Sequence, residues 1–167
     1  MAANFEHLRH KPPTELARPR ELVVALPAMQ SNVNLSRIVR AASCFGVTKI
    51  VACGSGKVDR KIARDGADNV EISTHRSLPP VLKRFKSQGF RLVGLEQATG
   101  SQRIYDYEFQ RQSVLVIGHE RHGITEEELA VLDDVIEIPV HGMPFSHNAA
   151  TSTVMAIYEY CRQFPDG

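Results

Sequence analysis

Three cysteines in 167 residues (Cys44, Cys53 and Cys161) are too few and too scattered for a disulfide framework or a cysteine-rich zinc site. No apolar run approaches the roughly 18–20 residues that a membrane span needs, so no membrane partner is expected. The opening stretch, MAANFEHLRHKPPTELARPR, lacks the apolar core of a secretion signal. These absences lead us to expect a reducing, cytoplasmic compartment. An excess of charge of one sign is missing too: 20 Lys and Arg face 19 Asp and Glu, a formal net charge of +1. That argues against a histone-like binder of polyanions, although basic residues can still be sorted onto one face. Eleven glycines and nine prolines are near average usage, which excludes collagen and low-complexity disorder. No internal repeat is visible.

What is present is the length and rhythm of one domain. A chain of this size buries roughly 70% of its unfolded surface and needs no staples. Residues 1–20 are polar, with Pro12, Pro13 and Pro19 and the basic Arg9, Lys11, Arg18 and Arg20, and they read as an arm. From residue 21 short apolar runs alternate with helical spacings. Strands are expected at 21–26, 48–53, 69–73, 90–96, 113–118 and 134–139. Helices are expected at 32–45, closed by Gly46, at 57–64, at 78–88 and at about 148–163, with Thr125 as an N-cap followed by three glutamates. This alternation implies an α/β fold with a mainly parallel sheet flanked by helices. Such sheets bind ligands at the carboxyl ends of their strands, so the loops after 26, 53, 95, 118 and 139 are the places to look.

Several motifs fail on spacing. Gly54-Ser55-Gly56-Lys57 follows a strand, but Val51 and Val58 stand where a phosphate loop needs Gly and Ser or Thr. His119 and His122 are one residue closer than the pair of a zinc-protease helix, and Gly118 and Gly123 bracket them, so no metal is expected. Ser146-His147 is no catalytic pair by adjacency alone, because a triad is built in space.

Three other segments place polar residues where ligand loops should lie. In 34–40, Leu35, Ile38 and Val39 form a buried helical face while Arg40 lies roughly opposite; a solvated surface arginine is the bland alternative. In 116–124 a buried strand runs into Gly118-His119-Glu120 and then Gly123, which lets backbone approach a ligand beside one carboxylate. A plain glycine-rich turn would look the same. In 138–150 Ile138-Pro139 opens a loop holding Ser146-His147-Asn148, and either Ser146 or Asn148 can cap the small-residue helix that follows.

Together, and in this order, the three segments resemble the motifs of the SpoU–TrmH family of RNA 2′-O-ribose methyltransferases, within the SPOUT superfamily. Asn34 and Arg40 match its Asn and the Arg six residues on; Gly118, Glu120 and Gly123 match the second motif; Ile138, Pro139, Ser146 and Asn148 match the third. His119 stands where the family has Asn, and His147 where it has Leu. The likeness spans about residues 21–163. It implies a SPOUT-type methyltransferase domain over 21–167 after the basic arm, with a deep trefoil knot in its C-terminal part. S-adenosylmethionine (SAM) would be bound in that knot, in a homodimer whose site draws on both chains.

By position, the resemblance puts cofactor contacts on Leu95, Gly118, Glu120, Ile138, Ser146 and the backbone of His147. It puts the catalytic role on Arg40, supported by Asn34, Glu120, Ser146 and Asn148. The chemistry agrees: a ribose 2′-hydroxyl is a poor nucleophile until its proton is drawn off or its developing charge is stabilised. Arg40 can assist by hydrogen-bonding a phosphate or the incipient oxyanion. Arg9, Lys11, Arg40, Lys57 and Arg60 are candidate RNA contacts, and the other bases of the arm and of 57–64 are grouped with them. Minimal members of the family often act on tRNA, which is therefore expected over rRNA. The alternative is a non-catalytic knotted dimer that binds SAM or RNA. The final helix, with Val154, Met155, Ile157, Tyr158, Cys161 and Phe164, is apolar over more than one stripe, as a helix facing both a core and a second copy would be.

Overall fold

The computed structural model describes residues 4–167. Seven strands lie in one sheet in the order β3-β2-β1-β6-β4-β7-β5, and every neighbouring pair is parallel. They are β1 Leu22–Leu26, β2 Lys49–Cys53, β3 Glu71–His75, β4 Arg91–Leu95, β5 Gln102–Arg103, β6 Ser113–Ile117 and β7 Asp134–Glu137. The helices are α1 Asn32–Cys44, α2 Arg60–Ala63, α3 Gly66–Asn69, α4 Pro79–Ser87, α5 Glu126–Leu129 and α6 Ala149–Gln163.

The central strands read as unbroken apolar runs because both of their faces are covered. Alternate residues go to opposite layers. Leu22, Val24 and Leu26 of β1, with Leu115 and Ile117 of β6, pack towards Ile38 and Val39 of α1 and Ile157 and Tyr160 of α6. Val23 and Ala25, with Val114 and Val116, pack on the other side against Leu82 and Phe85 of α4. A one-residue slip of β1 would exchange the two sets, so register is strongly specified.

Helix ends are fixed by local chemistry. Ser31 caps α1, its Oγ accepting from the Asn34 amide. At the other end Gly46 has φ +72, and the amides of Gly46 and Val47 return to the carbonyls of Ser43 and Ala42. This double return is the glycine-closed helix end that the sequence predicts. Thr125 and Glu128 close a reciprocal capping box on α5. Asn148, rather than Ser146, caps α6.

Three sequence expectations shift. The helix expected over 57–64 is confined to Arg60–Ala63, because the Lys57 amide is held by Asn32 Oδ1 and the Asp59 amide by Ser36 Oγ. These bonds pin 57–59 in extended form along α1. The strand expected at 69–73 begins at Glu71, since Gly66–Asn69 turns as a helix with Gly66 against the backbone of Arg40. A Cβ on Gly66 would stand 3.2 Å from Arg40 Cα. Strand β5 and a 3-10 turn at Ile104–Asp106 were not expected; β5 has two exposed residues and so carries no apolar signal.

The end of the arm is built into the fold. Arg20 donates from Nε to the Phe45 carbonyl and from Nη1 to the Phe164 carbonyl, both at 2.6 Å, clasping the ends of α1 and α6. The amides of Ala17 and Arg18 donate to the Asp166 carbonyl. Arg20 is therefore a structural clasp, a correction to its grouping with the phosphate contacts. Arg9 and Lys11 are exposed.

Candidate active site

Strands β4, β6 and β7 end side by side, and a cleft of about 480 Å³ opens over their carboxyl ends. A pocket of about 100 Å³ adjoins it, towards Glu137 and Ile138. Leu95, Glu96, Ser146, His147 and Ser152 line both. The larger cleft is completed by Asn34, Ile117, Gly118, His119, Glu120, Arg121, Gly123, Asn148 and Ala149. The loops after β4, β6 and β7 thus contribute as the parallel topology predicts.

A hydrogen-bonded chain of three side chains runs along one lip. Asn148 Nδ2 donates to Asn34 Oδ1 at 3.3 Å, and Asn34 Nδ2 donates to Glu120 Oε1 at 3.5 Å. The Glu120 carboxylate also accepts the amides of Gln30 and Ser31, each at 3.3 Å. Partial burial pushes the Glu120 carboxyl up. Its own amide, those of Gln30 and Ser31, and the Asn34 side chain outweigh this and hold it below the ordinary glutamate value. Glu120 is therefore ionised at neutral pH, and its charge fixes the Asn34 amide with the NH₂ towards Glu120 and the oxygen towards Asn148. The elements that meet here are the starts of α1 and α6 and the turn after β6.

Glu96 organises that turn, and it is the site residue the sequence motifs miss. Its Oε2 accepts from the Ile124 amide at 2.9 Å and its Oε1 from the Gln97 amide at 3.0 Å. Gly118 and Gly123 pack directly on it. A Cβ on Gly118 would lie 2.9 Å from Glu96 Oε2 and 2.8 Å from the Gly123 carbonyl carbon, and Gly123 has φ +67. The signal was positional: Glu96 is the first residue beyond β4, in a loop where a ligand site was expected.

Of the residues singled out from the motifs, Asn34, Leu95, Gly118, Glu120, Ser146, His147 and Asn148 surround the larger cleft, and Ile138 lines the adjoining pocket. Arg40 does not line either. It lies six residues beyond Asn34 on α1, about 9 Å along the axis, exposed, with Nη1 3.5 Å from the Ile62 carbonyl. Lys57 is exposed beside the start of α1. Arg60 is exposed but forms a two-pronged pair with Asp68, at 2.6 and 3.1 Å. Among the described residues no group of three or more His, Cys, Asp or Glu could hold a metal.

The cleft's chemistry fits a nucleoside cofactor carrying positive charge. Leu95 and Ile138 supply apolar walls, strand-end backbone supplies donors and acceptors, and Glu96, Glu120 and Glu137 supply carboxylates.

Fold and cleft together define the class: a parallel α/β domain with a cleft between its strand ends and the start of its last helix. The chain belongs to the SpoU rRNA Methylase family, whose model matches residues 21–158. It is 29% identical over 149 residues to the tRNA (guanosine(18)-2′-O)-methyltransferase of Escherichia coli K12, covering 87% of this chain and 65% of that protein. The chain thus spans just under two thirds of that relative's length. The 23S rRNA (guanosine-2′-O-)-methyltransferase RlmB of Acinetobacter baylyi is 27% identical over 148 residues, 85% of this chain and 60% of its own. Among solved structures, the Aquifex aeolicus TrmH/SpoU tRNA modifying enzyme superposes with a TM-score of 0.84 at 27% identity, covering 90% of this chain and 78% of that one. The SpoU methyltransferase AviRb of Streptomyces viridochromogenes, solved with AdoMet, shares the fold at a TM-score of 0.75 and 22% identity, covering 91% of this chain and 64% of that one.

Proposed function

We propose that the protein transfers a methyl group from S-adenosylmethionine to a ribose 2′-hydroxyl of RNA, with tRNA favoured over rRNA. The observation that carries this reading is the chain Asn148–Asn34–Glu120 along the lip of the strand-end cleft. It brings residues from all three motif segments to one edge of one cavity. The names of the relatives, tRNA and rRNA 2′-O-methyltransferases, support the same reaction.

Leu95, Gly118, Ile138, Ser146 and the His147 backbone would hold SAM, which would supply a methyl group already activated as a sulfonium. The protein's task is then mostly position. Asn34 and Asn148 fix each other and present neutral amide groups to the ribose. Glu120 holds Asn34 in one orientation and anchors the start of α1. Ser146 lines both cavities, so its hydroxyl would be available to either the cofactor or the ribose.

Arg40 acts on the hydroxyl, stabilising its developing negative charge or gripping the neighbouring phosphate. A free guanidinium is too weak a base (pKa above about 12) to take the proton unaided. Because Arg40 stands outside its own chain's cleft, its place in the reaction is in the cleft of a second copy. A homodimer is supported by exposed apolar side chains on α1 and α6: Val33 is 42% and Tyr158 58% exposed, with Tyr158 edge-on to Phe45 at 6.2 Å between ring centroids. Arg9, Lys11 and Lys57 are free to meet the RNA backbone. Arg60 could do so only by leaving Asp68.

The test is methyl transfer from labelled SAM into unmodified bulk tRNA and rRNA, followed by nuclease digestion and nucleoside mass spectrometry. A 2′-O-methylated nucleoside establishes the reaction and its base. Absence of transfer with SAM binding intact overturns it in favour of a non-catalytic binding dimer.

A further inference from the structure

The turn between β6 and α5 carries a pair of rings that the chemistry above does not use. His119 and His122 stack with centroids 4.9 Å apart and planes 16° from parallel. This is the offset face-to-face arrangement that aromatic rings favour. His119 lines the cleft beside Glu120, while His122 is exposed.

The turn that bears the pair is tied by hydrogen bonds. The turn closes with two backbone hydrogen bonds at 2.9 Å, His119 N to the Gly123 carbonyl and Gly123 N to the His119 carbonyl. His119 Nδ1 accepts from the Arg121 amide at 3.1 Å, which sets the ring's orientation. Behind the turn, Glu96 takes the Ile124 amide at 2.9 Å. An exposed ring on a stiff hairpin, backed by a second ring, is a flat surface that loses little freedom when a planar group covers it.

We propose that the outer face of His122 is the platform on which a base of the RNA substrate stacks when the ribose enters the cleft. Sequence-specific RNA recognition splays bases out of the strand and stacks them on aromatic side chains, histidine included. A target nucleotide splayed from its strand as its ribose enters the cleft leaves its base unstacked. The base then needs a new partner, and the exposed His122 offers one, stacked on the cleft-lining His119. Had the pair served only to pack the hairpin, His122 would be the covered ring; instead it is the open one. The proposal rests on RNA being the substrate of this site.

The test compares His122→Ala and His122→Phe with the wild type in steady-state transfer to tRNA and in SAM binding by calorimetry, with melting temperature as a control. Loss of one base–aromatic stack is expected to raise the KM for RNA about 5- to 100-fold in His122→Ala. SAM affinity and melting temperature are expected to hold, and Phe is expected to restore KM to within a few-fold. A KM unchanged by Ala, or a Phe variant as weak as Ala, overturns the platform while leaving the methyltransferase reading intact. A wild type that methylates no RNA overturns both.

Discussion

Asn148 and Asn34, 114 positions apart, are joined by one hydrogen bond, Asn148 Nδ2 to Asn34 Oδ1 at 3.3 Å. Asn148 does two jobs at once. Its Oδ1 caps α6, accepting from the amides of Ala150 and Thr151 at 2.9 and 3.2 Å, while its NH₂ orients Asn34. Flipping the Asn34 amide does not relieve the loss of that donor, because its oxygen would then face the Glu120 carboxylate. Asn148→Asp keeps the cap acceptor and removes the donor. We expect transfer to fall at least tenfold, about 1.4 kcal/mol in the barrier, with melting little changed. Asn148→Ala loses the cap too and should also cost about 1 kcal/mol of stability. Kinetics and thermal melts on the two variants separate the roles; equal melting losses in both would refute the division.

Arg40→Ala is expected to abolish transfer and leave SAM binding nearly intact, since Arg40 lines neither cavity of its own chain. Calorimetry alongside the transfer assay checks this. Equal loss of binding and transfer would remove Arg40 from the chemistry.

The glycines of the site turn should differ sharply from one nearby. Gly123→Ala places a Cβ at φ +67 and onto the Glu96 carboxylate, costing at least about 1–2 kcal/mol. It should also weaken SAM binding, because the turn bears Gly118 and Glu120. Gly142→Ala meets nothing within 4 Å and is expected to be neutral or slightly stabilising. Comparable losses in the two would sink the account of Glu96 as the turn's anchor.

Stability should decline in acid. Hydrogen bonding from Arg91 holds Asp134 below the usual aspartate range despite partial burial, and Tyr107 Oη donates to it at 2.7 Å. Burial pushes Asp133 up, but the Leu92 amide and Lys86 hold it below the usual range. Groups depressed in the folded state contribute stability that is present above their unfolded values, about 3.9 for aspartate, and is lost as pH falls through the folded ones. Melting temperature should therefore hold from neutrality down to about pH 4 and fall below it. In Asp134→Asn the drop below pH 4 should be shallower, from a lower starting point. An unchanged acid limb would refute the assignment.

Light scattering at micromolar concentration is expected to give twice the 18.6 kDa chain mass. A monomer mass would leave Arg40 without a cleft to act in.

Local order was legible along the chain because the chemistry that sets it is local. The five-residue runs LVVAL and SVLVI announce strands buried on both faces, and Ser31, Gly46 and Thr125 mark helix ends through bonds to residues three or four positions away. Three spaced motifs also pointed to the residues of the cleft. Where contacts far apart in sequence compete with local pattern, the reading failed. Residues 57–59 stay extended because Asn32 and Ser36 hold their amides, and Arg20 serves two helix ends 25 and 144 residues away. Strand composition carries no information on sheet order, so only tertiary structure sets β6 between β1 and β4 and closes the cleft. The same holds for Glu96, Asn148 and Arg40. Side-chain type sets what each can donate, accept or charge, but which groups meet depends on long-range packing, and that packing leaves Arg40 outside the cleft that Asn34, six residues before it, helps to form.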